Sequence, residues 1–270
     1  MNPILVAVLL GLLQGVLEWI PVSSEGGVAL ASTALSGLEP ADATRLALFL
    51  HAGTAVAAVA YYRREAVEIL GSLRALSRRP FAAETADLSF LVVATAATGL
   101  TGLPAYLALD AAVSELEGGF FLAFVGGLLV VTGLVQRFAA AFSLGERTRP
   151  DWLDAAFVGA LQGLAILPGV SRSGTTVSAL LLRGHEGESS LRLSFLLSIP
   201  AALGANALVL LDTGLPEITP LEAVVALAVS AAVGYLTVDA LVRVVRQVPF
   251  WAVCTVFGGL GVAGGLLVAL

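Results

Sequence analysis

Apolar stretches long enough to cross a bilayer follow one another along nearly the whole chain, and short segments between them carry almost all the charge. About 20 apolar residues span the hydrocarbon core. Inside it every backbone donor and acceptor must be satisfied within the protein, so such a chain folds as helices. Full spans are expected at Arg45 to Tyr62, Leu88 to Leu109, Gly118 to Val135, Leu193 to Leu211, Leu221 to Leu241 and Pro249 to Leu270. With 58% hydrophobic and 13% charged residues in 270, no stretch is left for a soluble domain. The start of the chain has no basic n-region or small-residue cleavage site, so the first apolar segment is expected to stay in the protein. The fold class expected is an all-α integral membrane protein forming a single membrane domain over 1–270.

Loop charge sets the orientation. Arg-rich loops belong on the cytoplasmic side. They are 63–79, 137–151, 183–192 and 243–248, the last with Arg243 and Arg246, whereas 39–42, 110–117 and 212–217 contain no Arg and go outside. The alternation closes only if Pro3 to Leu38 and Trp152 to Leu182 enter and leave by the same face. Both carry a Pro/Gly/Ser break in the middle. Non-helical backbone at that depth is tolerated when it is buried in protein or faces a wet cavity. The architecture expected is therefore six transmembrane helices and two re-entrant helix hairpins, with 63–79 lying amphipathically on the membrane surface. The net charge of −6 sits in loops and points to no nucleic-acid partner. Cys254 is the only cysteine and excludes an internal disulfide.

The halves resemble each other. Leu13-Gln14-Gly15 precedes Pro21-Val22-Ser23-Ser24-Glu25-Gly26, and Leu161-Gln162-Gly163 precedes Pro168-Gly169-Val170-Ser171-Arg172-Ser173-Gly174. One broken hairpin enters from each face, which makes repeat one (1–136) and repeat two (150–270) an inverted pair. Such repeats place a site at the midplane where the breaks meet.

Chemistry concentrates at those breaks. Arg172 is the only charge between Asp154 and Arg183, and a cation at that depth is costly and functional by default. Ser171, Ser173 and Thr175 surround it, and Gly174-Thr175-Thr176 reads as a helix N-terminus, which attracts anions. Guanidinium, hydroxyls and free N–H groups describe a phosphate cradle. The alternative is a plain Gly/Ser break with Arg172 paired to a buried carboxylate. Gln14 and Glu18, four apart, share one helix face. Glu18 suits a divalent metal or proton sharing with a substrate, or else an interfacial place beside Trp19. Ser23 and Ser24 suit a nucleophile or phosphate ligands, and equally helix caps. Glu25 reads as metal ligand, general base or solvated turn residue. His51 is expected to be a buried structural histidine and His185 a solvated loop residue, with Asn206 and Asp239 as packing contacts. A phosphate site between membrane helices suggests a lipid phosphate.

These motifs resemble the undecaprenyl-diphosphate phosphatase family of bacitracin-resistance membrane proteins, over nearly the whole chain. Pro168-Gly169-Val170-Ser171-Arg172-Ser173-Gly174 matches the family's PGxSRSG stretch, and Ser194 to Ala201 matches its flank. Gln14, Glu18, Pro21, Val22, Ser23, Ser24 and Gly26 resemble its first motif, and His51-Ala52-Gly53-Thr54 a third stretch. The resemblance implies hydrolysis of a polyprenyl diphosphate to the monophosphate and inorganic phosphate, and the site is expected to open to the outer face of the cell membrane. Ser24 would be the nucleophile, Arg172 a phosphate ligand, and Glu18 a centre of metal or acid–base chemistry with Mg²⁺ or Ca²⁺, Gln14 beside it. Gly27 stands where the family usually has His, and Glu25 where a small hydroxyl residue is common. The alternative on the same fold is a polyprenyl-phosphate translocator without hydrolysis.

Overall fold

Capping residues and prolines divide the chain into helices much as the apolar pattern requires. The computed structural model describes residues 2–113, 116, 118–142, 145–212, 214, 218–245 and 247–270. Glu115, Glu117, Glu217 and Arg246, which the loop-charge reading used, lie outside the described residues. Among the described residues the secondary structure is helical throughout, apart from turns and one isolated bridge between Arg147 and His185.

Among the described residues six helices are long and apolar enough to cross a membrane: α3 (Pro40–Tyr61), α6 (Ala86–Val113), α7 (Gly118–Ala139), α10 (Gly187–Asp212), α11 (Pro220–Val245) and α12 (Phe250–Ala269). They are the six expected from the sequence. The two broken segments form shorter helix pairs. In the first, α1 (Pro3–Leu17) opens with Asn2 accepting the Ile4 and Leu5 N–H groups, and stops before Pro21. Its partner α2 (Ser24–Ser36) is capped by Ser23 and closed by Gly37 at φ 70°, a left-handed turn that glycine adopts without penalty. In the second, α8 (Trp152–Gly163) starts from a reciprocal cap between Asp151 and Asp154. A short 3-10 turn and the Pro168–Val170 break lead to α9 (Arg172–Leu182), capped by Ser171.

Packing brings the breaks together. Helix α1 lies on α11, α8 on α6, α2 on α3, α9 on α10, and α7 on α12. Glycines let α7 and α12 approach closely. A Cβ on Gly119 would run into the Gly265 carbonyl oxygen, and one on Gly126 would sit 2.7 Å from that of Gly258. Dispersion between close-packed backbones, with no hydrophobic drive available in lipid, holds such a pair. The polar segment expected at the surface forms α4 (Arg63–Gly71) and α5 (Leu73–Leu76), neither with a buried residue. Arg192 ties it down by donating to Glu65 and, at 2.5 Å, to Asp87.

His185 corrects the sequence reading. It is fully buried, with Nε2 2.9 Å from Asp154 Oδ2. The same carboxylate accepts from Arg147 Nη2 at 2.9 Å and Arg183 Nε at 2.6 Å. A carboxylate with no accessible surface needs such donors, and it draws the imidazole inward. Asn206 does act as a packing contact, donating to the Leu48 carbonyl across α10 and α3 at 3.1 Å. Asp239, exposed on α11, accepts from Tyr61 at 2.5 Å.

Candidate active site

Glu18 is the hub where both breaks meet. It caps α1, its side chain is 5% exposed, and Trp19 beside it is 1% exposed and donates to the Gly234 carbonyl. The interfacial reading of Glu18 is therefore set aside. Oε2 accepts from Gln14 Nε2 and from Ser24 Oγ, each at 3.0 Å. Oε1 accepts from Arg172 Nη2. The second guanidinium nitrogen, Nη1, donates to the Ser194 carbonyl at 3.2 Å. Arg172 is thus both paired to a buried carboxylate and exposed to a cavity, so the two sequence readings of it coexist.

Ser24 and Arg172 hold corresponding places. Each is the first residue of its helix, directly after a serine cap. Successive helical residues point about 100° apart. Ser23 and Ser171 therefore turn away from the cluster that their neighbours join. Ser23 Oγ accepts from the Gly26 N–H at 3.1 Å and from the Gly169 N–H at 2.9 Å, which latches one break to the other. Ser171 Oγ accepts from the Gly174 N–H at 3.1 Å. Ser173 Oγ donates to the Ile20 carbonyl at 3.4 Å and, with Gly174, lines a separate cavity beside Pro21 and Gln136. The Thr175 N–H bonds to the Ser171 carbonyl within α9. Of the expected site residues, Glu18, Glu25 and Arg172 line one cavity, while Ser23, Ser171, Ser173, Gly174 and Thr175 do not, and Ser24 reaches it through its bond to Glu18. The glycines here serve close packing. A Cβ on Gly26 would lie 2.9 Å from the Gly169 nitrogen, and one on Gly174 2.5 Å from Gln136 Nε2.

That cavity encloses about 330 Å³. Glu18, Glu25, His51 and Arg172 form its polar end, and it runs on between α6 and α10 past Leu103, Ile166, Ala202 and Leu208. Gln162, whose Nε2 donates to Thr98 Oγ1 at 2.9 Å, also lines it. A charged pole joined to an apolar slot suits an amphiphile with an anionic head.

His51 is the residue the sequence reading missed. It comes from α3, and its Nε2 lies 3.4 Å from Ser24 Oγ, 3.2 Å from Glu18 Oε2 and 3.8 Å from Glu25 Oε1. The available signal was an ionisable side chain inside a span, which is functional by default. Gly27 sits elsewhere: a Cβ there would meet Leu17 Cδ1 at 2.8 Å, beside a cavity lined by Val22, Leu30 and Phe257.

A resident divalent ion on Gln14 and Glu18 does not fit this arrangement. Both Glu18 oxygens already accept from donors, and Gln14 turns its amide nitrogen, not its oxygen, toward the carboxylate. The Gln14 oxygen is buried without a hydrogen-bond partner among the described residues, but one neutral oxygen is not a site for a hard cation.

Comparison with known proteins gives a consistent result. The family model "Bacitracin resistance protein BacA" matches residues 7–263. The "Undecaprenyl-diphosphatase" of Haloarcula marismortui is 83% identical over the full length of both chains. The protein of the same name from Methanothrix thermoacetophila is 38% identical over 93% of each chain. That from Saccharolobus solfataricus is 36% identical over 99% of this chain and 97% of its own.

Proposed function

The chain belongs to the BacA family of bacitracin resistance proteins, and from that premise we propose that it hydrolyses undecaprenyl diphosphate, or a closely similar polyprenyl diphosphate, to the monophosphate and inorganic phosphate. It is a multi-pass membrane hydrolase that recycles a lipid carrier. The observation that carries the reading is the Ser24–Glu18–Arg172 cluster at the charged end of an apolar slot. Arg172 presents a fork of donors to the terminal phosphate. Ser24 attacks its phosphorus, and Glu18 holds both groups in register. Substrate phosphate competes with Glu18 for the guanidinium, so binding loosens one ion pair as it forms another. The translocator alternative gains no support, since each relative named above carries the hydrolase name. The imidazole missing at Gly27, which had favoured it, has a candidate replacement in His51, whose Nε2 lies 3.4 Å from Ser24 Oγ.

The divalent cation belongs to this reading as part of the substrate, bound by diphosphate oxygens. Purified protein supplied with farnesyl or undecaprenyl diphosphate is expected to release inorganic phosphate with Mg²⁺ or Ca²⁺ and to stop in EDTA. Full activity in EDTA would remove the metal from the reaction, and no phosphate release under any condition would remove the hydrolase.

We further propose that 1–136 and 150–270 are inverted repeats, with α1–α2 and α8–α9 re-entrant and the slot open to the outer face. Support comes from the exchange of partners: α1 on α11 and α2 on α3 correspond to α8 on α6 and α9 on α10. Membrane-impermeant labelling of single cysteines is expected to find position 39 outside and position 63 inside. Both on one side would overturn the re-entrant arrangement.

A further inference from the structure

The imidazole of His51 sits where a proton must go if Ser24 is to attack phosphorus. Its Nδ1 donates to the Ala47 carbonyl at 2.8 Å, one turn back in α3. That contact commits Nδ1 to carrying a hydrogen, so Nε2 is the nitrogen that gains and loses a proton. Nε2 faces Ser24 Oγ at 3.4 Å. The titratable groups around it are Glu18 from the end of α1 at 3.2 Å, Glu25 from α2 at 3.8 Å, and Arg172 from α9, held on the far oxygen of Glu18. The Glu18 carboxylate beside the ring stabilises an imidazolium formed there. Gly27, three residues past Ser24, has no side chain to offer and its Cβ direction leads to Leu17.

We propose that His51 is a catalytic residue, whose Nε2 takes the Ser24 proton as Ser24 Oγ attacks the terminal phosphorus. The step rests on the reading of Ser24 as nucleophile. In it the Ser24 Oγ–phosphorus bond forms and the bond from that phosphorus to the bridging oxygen breaks. The bridging oxygen leaves on the prenyl monophosphate, and the hydroxyl proton moves to His51. Water then adds to the phosphoserine phosphorus and the Oγ–phosphorus bond breaks. Oγ recovers its proton from His51, and inorganic phosphate departs while the surplus proton of the water passes to solvent. Glu18 holds the Ser24 hydroxyl before the transfer and balances the charge of the imidazolium after it. Arg172 donates to the oxygens of the phosphoryl group as it passes to Ser24.

The test uses the purified full-length protein and farnesyl diphosphate as probe. His51→Ala is expected to lower turnover by at least about 100-fold, the lower end of what a general base supplies, with substrate affinity retained. Added imidazole should restore turnover, and substituted imidazoles should do so in the order of their basicity, a response that a structural role does not produce. His51→Gln preserves bulk and serves as the folding control through its melting temperature. Wild-type turnover in His51→Ala or His51→Gln, beside an inactive Ser24→Ala, would overturn the assignment of His51 and leave the nucleophile standing. Turnover lost in both variants but restored by no azole, with an unchanged melting temperature, would also overturn it. Activity retained in Ser24→Ala would instead overturn the nucleophile, and this step with it.

Discussion

Replacing Ser24 with alanine is expected to lower phosphate release from a polyprenyl diphosphate by at least about 10⁴-fold, the scale on which loss of a covalent nucleophile acts. A serine hydroxyl is a weak nucleophile unless an adjacent base activates it. Ser24 is the hydroxyl that meets both a carboxylate, at 3.0 Å, and an imidazole, at 3.4 Å. The fold supplies its own control. Ser23, not Ser24, caps α2 and bonds to the Gly169 N–H, so removing the Ser24 hydroxyl leaves the helix start and the latch intact. The melting temperature of Ser24→Ala should stay near wild type. Ser23→Ala should instead destabilise, by about 1 kcal/mol for the lost cap alone, while keeping the chemistry. A Ser24→Ala protein with wild-type turnover, beside an inactive Ser23→Ala protein, would move the nucleophile to the neighbouring position.

Glu18→Gln should cost nearly as much, for a different reason. The carboxylate accepts from Gln14, Ser24 and Arg172 and lies against His51. An amide of the same shape can accept with one atom only, and its NH₂ would face donors. It also removes the partner that holds Arg172 Nη2, leaving the guanidinium tethered by its bond to the Ser194 carbonyl. Turnover is expected to fall by about 10²–10⁴-fold, because Ser24 and His51 lose the group that holds them in line for proton transfer. Substrate affinity should hold or tighten, because a negative charge facing the diphosphate has been removed and Arg172 is freed to bind it. A collapse of kcat without a rise in Kd separates this outcome from simple misfolding. Unchanged kcat would reduce Glu18 to a structural anchor of the two breaks.

The sequence by itself determined the membrane class, the six long helices and the two broken segments, because a bilayer tolerates so few backbone solutions that apolar length and loop charge nearly exhaust the choice. It also picked out Glu18 and Arg172, since an ion inside an apolar segment has to have a partner or a task. Tertiary structure decided which hydroxyl does what. Ser23 and Ser24, like Ser171 and Ser173, are interchangeable in composition. Which of Ser23 and Ser24 bonds to Glu18 depends on how α2 is rotated, and that is set by contacts such as Gly26 against Gly169, 143 residues apart in the chain. The same limit hid both histidines. His185 looked solvated because its neighbours are polar, yet Asp154, 31 residues earlier, draws it into the interior. His51 looked structural because no carboxylate lies near it in sequence. Only the packing of α2 on α3 brings Glu25 and Ser24 to its ring, with Glu18 arriving from the end of α1. Local pattern fixes where a helix starts and which residues share its faces. The assembly of a site from four helices is a property of long-range packing, which no local period encodes.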